Sequence, residues 1–177
     1  MTPSFFGYGS LVNLATHNYP NVRKATLTGW RRVWCHANTR PVAFLSVHRA
    51  MGAIDGIIAD VPDADWTALD LREHAYLRQD VSDVLGGTTA IYQANPAKIS
   101  PPSAGHPILL SYLDVVVQGF RTQYGEDGVA AFFESTDGWG PIRNDRSDPY
   151  YPRFQNVAAV DRALVDHHLA QLSAQVK

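Results

Sequence analysis

Phe5-Phe6-Gly7-Tyr8-Gly9-Ser10-Leu11 opens as an apolar, aromatic strand and runs into two glycines and a serine. Glycine lets the backbone turn sharply and lets a ligand approach where a Cβ would stand in the way. The amides that follow such a turn can converge on an anion or a developing oxyanion, and the Ser10 hydroxyl can donate to a carboxylate. Other motifs fail on these residues. A dinucleotide fingerprint needs glycine where Val12 stands, and there is no Gly-Lys-Ser/Thr of a P-loop. A nucleophile elbow needs glycines where Tyr8 and Val12 lie. A plain strand-end turn with an exposed serine is the alternative reading.

Outward from this turn, the first half reads as strands. Ser4 to Tyr8, Ala25 to His36, Val42 to Val47, Ala53 to Val61 and Thr88 to Gln93 are apolar or β-prone and bounded by turn residues. Asp63 or Asp65 can cap a short helix through Glu73, with Trp66 and Leu69 inward. Ala94 to Pro107 carries four prolines and interrupts regular structure, reading as a surface connection. The second half reads as helices. Ile108, Tyr112, Val115, Val116 and Phe120 recur at helical spacing, and Val129 to Phe133 suggests a second, short helix. Val157, Val160, Leu164, Leu169, Leu172 and Val176 form an apolar stripe, with Asp161 and Arg162 on the wet face. Strands followed by helices predict an α+β domain or a closed β-barrel with flanking helices, not an alternating βαβ sheet. Residues 1–177 read as a single domain.

Composition narrows the function. The chain has 177 residues and a formal net charge of −2, without the basic excess that a dedicated nucleic-acid binder needs. No run approaches a membrane span, and no basic-then-apolar leader opens the sequence. Cys35 is the single cysteine and fits a reducing compartment; beside Trp34 in an apolar strand it reads as inert packing. His167 and His168 are adjacent and point about 100° apart on a helix, so one face cannot offer both to one ion. Asp145-Arg146-Ser147-Asp148 lacks the spacing of a calcium loop and reads as a solvated turn before Pro149. Residues 138–154 are aromatic and irregular, suited to a substrate mouth, a lid, a subunit contact or a plain surface loop. Within them Arg143, Arg146 and Arg153 are candidates for a substrate carboxylate.

Phe6-Gly7-Tyr8-Gly9-Ser10-Leu11 resembles the N-terminal signature of the γ-glutamylcyclotransferase-like proteins, with their AIG2-like and ChaC-like branches. Leu27-Thr28-Gly29-Trp30-Arg31-Arg32-Val33-Trp34 is similar to that family's next strand. Asp70-Leu71-Arg72-Glu73-His74-Ala75-Tyr76 resembles the segment carrying its acidic catalytic residue, and Ser111-Tyr112-Leu113 followed by Gly119 resembles a later helix. The likeness runs in family order from residue 5 to about 120 and leaves residues 126–156 without a counterpart.

The resemblance implies a small, closed or nearly closed, mainly antiparallel β-barrel with helices outside. It implies a cyclotransferase that turns a γ-glutamyl group into 5-oxoproline and frees the attached amine or amino acid. Neither cofactor nor metal is implied, because the substrate's own α-amine is the nucleophile. Glu73 would be the general acid/base; Tyr8, Gly9, Ser10, Leu11 and Tyr112 would bind the substrate. The expected partner is a small γ-glutamyl molecule, with neither nucleic acid nor membrane, for a cytoplasmic monomer or homodimer. Read without the resemblance, Glu73 is a solvated helix residue paired with Arg72 or Arg78, and Tyr112 is equally a core residue. A non-catalytic binding module, or transfer or removal of a γ-glutamyl-type acyl group in biosynthesis, are the alternative functions.

Overall fold

The structure is a computed structural model and describes residues 2–173. It is a mixed α+β fold built on a six-stranded sheet. Strands β1 (Ser4–Gly7), β2 (Arg23–Cys35), β3 (Phe44–Asp60), β4 (Tyr76–Asp80) and β5 (Thr89–Ala94) join β7 (Thr136–Asp137) in the order β4-β5-β1-β3-β2-β7. A separate pair is formed by β6 (Ile108–Leu109) and β8 (Ile142–Arg143). The helices are α1 (Thr67–Arg72), α2 (Ser82–Leu85), α3 (Leu110–Glu134) and α4 (Ala159–Ser173).

The expected barrel does not close. The sheet pairs β1 with β3, β2 with β3 and β4 with β5 antiparallel, but β1 with β5 and β2 with β7 parallel, and it ends at β4 and β7. Where β3 meets β4 and β5, side chains stand where a backbone ladder would run. Ala94 N–H donates to Ser46 Oγ (2.9 Å), Gln93 Nε2 to the Val47 carbonyl (3.0 Å), and the Tyr76 hydroxyl to the Leu45 carbonyl (2.8 Å). A bond through a side chain spans a wider gap than a direct ladder allows, so the sheet curls without sealing.

Two apolar runs expected as separate strands, 42–47 and 53–61, are one strand. β3 continues across the hairpin because the irregularity is absorbed as a bulge between Thr28 and Trp30. β4 was not foreseen: YLRQD lies on the sheet edge, where one side is open to water and an apolar pattern is weak. Helix α3 takes in both predicted helical runs except Ile108, which lies in β6, and breaks at Gly125, whose φ of +71° favours glycine. It carries Val116, Phe120 and Phe132 into the core with Phe5, Phe6, Leu27, Trp34, Ile57 and Ile91.

The C-terminal stripe is corrected in part. Val157 and Val165 are buried and Leu164, Leu169 and Leu172 pack against the core, but Val160 is exposed. Val176 lies outside the described residues. Asp161, expected on the wet face, is fully buried and receives Arg121 Nε at 2.5 Å. No described helix is long and apolar enough to cross a membrane.

Candidate active site

The glycine turn is held from three sides. Asn13 Nδ2 donates to the Val115 carbonyl and to Gln118 Oε1, both at 2.9 Å, and so seats the turn on α3. From the sheet, Arg32 Nε donates to the Tyr8 carbonyl (2.7 Å), while its terminal nitrogens reach Ser135 Oγ (2.7 Å) and the Asp55 carbonyl. Arg32 is fully buried, its guanidinium 4.8 and 5.1 Å from the Phe120 and Phe132 ring centres. Burial pushes its pKa down to about 9, with the Asp55 carboxylate opposing that shift. On the third side, Arg72 on α1 donates to the Thr16 carbonyl (2.8 Å) and to Thr16 Oγ1 (3.1 Å).

Beyond Gly9 the chain forms a single 3₁₀ turn whose first backbone bonds run from Val12 N–H to the Gly9 carbonyl and from Asn13 N–H to the Ser10 carbonyl. The Ser10 and Leu11 amides precede these bonds and are left for other partners. A Cβ on Gly9 would stand 2.9 Å from the Tyr112 hydroxyl oxygen and 3.3 Å from Leu45 Cδ2, so glycine lets the turn and the phenol meet.

Glu73 sits where α1 ends. Its N–H still bonds the Leu69 carbonyl (2.9 Å), and its own carbonyl accepts from Tyr76 N–H (2.8 Å), which starts β4. Its carboxylate is 16% exposed and lies 3.2 Å from Arg72 Nε. The alternative of a solvated Glu73 is therefore half right: Arg72 is its partner, but the pair is shielded, and Arg78 is taken by Asp70 at 3.0 Å. Burial raises the Glu73 pKa, and the charges of Arg72, Arg153 and Arg40 act against that rise.

Glu73 and the glycine turn share one recess. A small inner space of about 30 Å³ is lined by Tyr8, Gly9, Ser10, Leu11, Glu73 and Tyr112, with Tyr76 among its other walls. It adjoins an outer cleft of about 510 Å³, and Ser10, Glu73, Tyr76 and Tyr112 line both. All six residues expected at the site thus come together. Trp66, the other aromatic residue considered beside Glu73, is not among the lining and packs under Arg78 instead, 4.2 Å from its Cζ.

Three phenols surround the carboxylate in different states of commitment. Tyr8 donates to the Tyr92 carbonyl (2.6 Å) and Tyr76 to the Leu45 carbonyl. Burial raises the pKa of both, with Glu73 adding to the effect, and they stay neutral. Tyr112 is likewise raised by burial, then by Tyr151 and Glu73, while the Ser10 N–H and hydroxyl oppose the rise.

Residues 146–148 form the expected turn, with Ser147 and Asp148 exposed, but Asp145 at its start departs from the solvated reading. Asp145 is buried: its carboxylate accepts from Ser111 N–H (2.8 Å), Ser111 Oγ (2.5 Å) and Tyr150 N–H (2.9 Å). Burial pushes this carboxyl up, but these donors outweigh it and hold its pKa below the ordinary value. Arg146 pairs with Asp114 and Asp166. Tyr150, Tyr151, Pro152 and Arg153 then line the cleft, with the Tyr151 ring edge-on to Tyr112 at 4.9 Å.

A family model described as gamma-glutamyl cyclotransferase, AIG2-like, matches residues 5–110. The chain belongs to this family. The matched segment holds the glycine turn and Glu73, and ends just before Tyr112. No curated protein matches the chain. Among solved structures, one titled gamma-glutamyl cyclotransferase is 15% identical, with a TM-score of 0.56 over 94% of this chain and 99% of that one. YkqA from Bacillus subtilis is 17% identical, with a TM-score of 0.54 over 73% of this chain. The match takes in 52% of the YkqA chain, about half its length. These likenesses concern the fold.

Sequence reasoning assigned no site role to Arg32, Arg40 or Arg72. For Arg32 the signal was present: Trp30, Arg32 and Trp34 share one strand face, and both tryptophans are buried. Cys35 is buried as expected, with burial pushing its thiol up to about 12. Among the described residues no group of three or more His, Cys, Asp or Glu side chains is arranged to hold a metal ion.

Proposed function

We propose that this protein cyclises a γ-glutamyl group to 5-oxoproline and releases the amine or amino acid attached to it. The substrate's α-nitrogen attacks its own γ-carbonyl carbon. One C–N bond forms, the original γ-amide C–N bond breaks, and a proton passes from the attacking to the leaving nitrogen. Glu73 carries that proton, first as base and then as acid. Its shielded position and raised pKa support the role, since a carboxyl nearer neutrality exchanges a proton more readily.

The remaining work is positioning. Tyr8, Gly9, Ser10 and Leu11 would hold the glutamyl portion, with the Leu11 amide, and the Ser10 amide that faces Tyr112, turning to the oxyanion or the α-carboxylate. Tyr112, at the boundary of recess and cleft, would bond the substrate near the reacting amide. Holding the flexible glutamyl chain in a near-attack shape is a large part of the barrier to be lowered. No cofactor enters these steps, because the nucleophile belongs to the substrate.

The observation that carries this reading is the common recess of Glu73 and the Gly9–Leu11 turn. Incubation with γ-glutamyl dipeptides, γ-glutamyl-amines and glutathione tests it. We expect 5-oxoproline and free amine in equal amounts from at least one of them. Tight binding without product would instead make the protein a binding module, and free glutamate would make it a hydrolase.

A further inference from the structure

Recess and cleft differ in charge. The inner recess is lined by Glu73 without any arginine, whereas the outer cleft adds Arg40, Arg72 and Arg153. Arg72 is engaged by Glu73 and Thr16. Arg40 and Arg153 make no direct ion pair among the described residues, although the charge of each is felt by Glu73; Arg40 lies 5.1 Å over the Phe44 ring. Arginines and carboxylates alone give the cleft three cations against one anion, two positive charges in excess.

The order of the chambers assigns a task to that excess. Ser10, Glu73, Tyr76 and Tyr112 line both spaces, so the reacting amide belongs at their boundary. The γ-carbonyl oxygen then points into the recess, whose roughly 30 Å³ admits a group of that size but not a whole glutamyl head, and the departing amine lies in the cleft. Beside the two unpaired guanidinium groups, the cleft offers apolar wall from Phe44, Leu71, Tyr150 and Tyr151. Guanidinium groups bind carboxylates through charge-assisted, often paired, hydrogen bonds.

We infer that Arg40 and Arg153 are specificity residues that read a carboxylate on the departing amine, so that the protein releases amino acids or peptides in preference to plain amines. This inference rests on the cyclotransferase reading. Arg153 lies outside the segment matched by the family model, so this half of the pair is a feature of this chain's own loop.

γ-Glutamyl-alanine and γ-glutamyl-ethylamide differ only in the carboxylate on the departing amine, and comparing their kcat/KM gives the test. We expect the wild type to favour γ-glutamyl-alanine by about 10–100-fold, the worth of one or two charge-assisted bonds. Arg40→Gln with Arg153→Gln should bring that ratio close to one. Arg153→Glu should move the preference toward a γ-glutamyl-diamine, whose leaving group carries an ammonium, a gain that misfolding cannot produce. Equal use of the two substrates by the wild type, or an unchanged ratio in the variants, overturns the inference and leaves the cyclotransferase reading intact. Absence of 5-oxoproline from both substrates overturns the inference, and its absence from every γ-glutamyl compound tried, glutathione included, overturns the two together.

Discussion

Arg72 Nε lies 3.2 Å from Glu73 Oε1, and the other end of the same guanidinium holds the Thr16 carbonyl at 2.8 Å. One side chain therefore ties the acid at the end of α1 to the loop that follows the glycine turn. It fixes the distance between the two halves of the site and lowers the cost of carrying a negative charge on Glu73 there. Neither partner is well exposed, so solvent does little to screen this contact.

Removing that cation should show in the pH profile. In the proposed reaction Glu73 must be ionised to accept a proton, and its folded pKa is raised by burial against the pull of Arg72. Activity is then present above the raised pKa and lost as pH falls through it. In Arg72→Met the acid limb of kcat/KM should move to higher pH. A limb that stays in place would show that Arg72 does not act on Glu73.

Gly9 and Tyr112 should behave as one unit. Gly9→Ala puts a methyl 2.9 Å from the Tyr112 oxygen. We expect turnover to fall by roughly 10²-fold, the scale of a catalytic displacement of about 1 Å. Tyr112→Phe removes the struck atom, so the double variant should lose less than the product of the two single losses. Strict multiplicativity in a double-mutant cycle would count against the contact.

Arg32 is expected to be irreplaceable by lysine. Its fork reaches Tyr8, Asp55 and Ser135 together, and a single ammonium cannot span all three. Losing two charge-assisted bonds should lower stability by about 3 kcal/mol. Chemical denaturation measures this, and a loss below about 1 kcal/mol would mean that the three bonds are not made together.

Asp145 should make the cleft wall sensitive to acid. Its folded pKa is depressed, so its contribution is present above the unfolded value of about 3.9 and fades as pH falls through the folded one. In Asp145→Asn, stability at neutral pH should drop by about 2 kcal/mol, with KM rising as Tyr151 loosens. The fall in Tm between neutral and acid pH should be shallower than in the wild type. Parallel curves for the two proteins would remove Asp145 from that role.

Much of the site was legible because it is local. The glycine turn and the Glu73 segment are short stretches whose residue types carry their own chemistry, and a family resemblance supplied the link between them. Long-range pairing was not legible. Asp145 and Asp161 look like surface residues in sequence, and only their distant donors Ser111 and Arg121 let them be buried. The barrel expectation failed at the seam by β4 and β5, where Ser46, Gln93 and Tyr76 side chains bridge a gap that no pattern of apolar residues encodes. Adjacent Arg72 and Glu73 read as an ordinary local ion pair because sequence does not report shielding from water.

Glu73→Gln is the most direct measurement. The substitution keeps the size of the side chain and removes its proton chemistry. Because burial raises the Glu73 pKa, its charge is a burden to the fold at neutral pH, and Tm should not fall by more than a few degrees. We expect 5-oxoproline release from a verified γ-glutamyl substrate to slow by about 10²–10⁴-fold in this folded variant. Release at the wild-type rate would contradict the role given to Glu73.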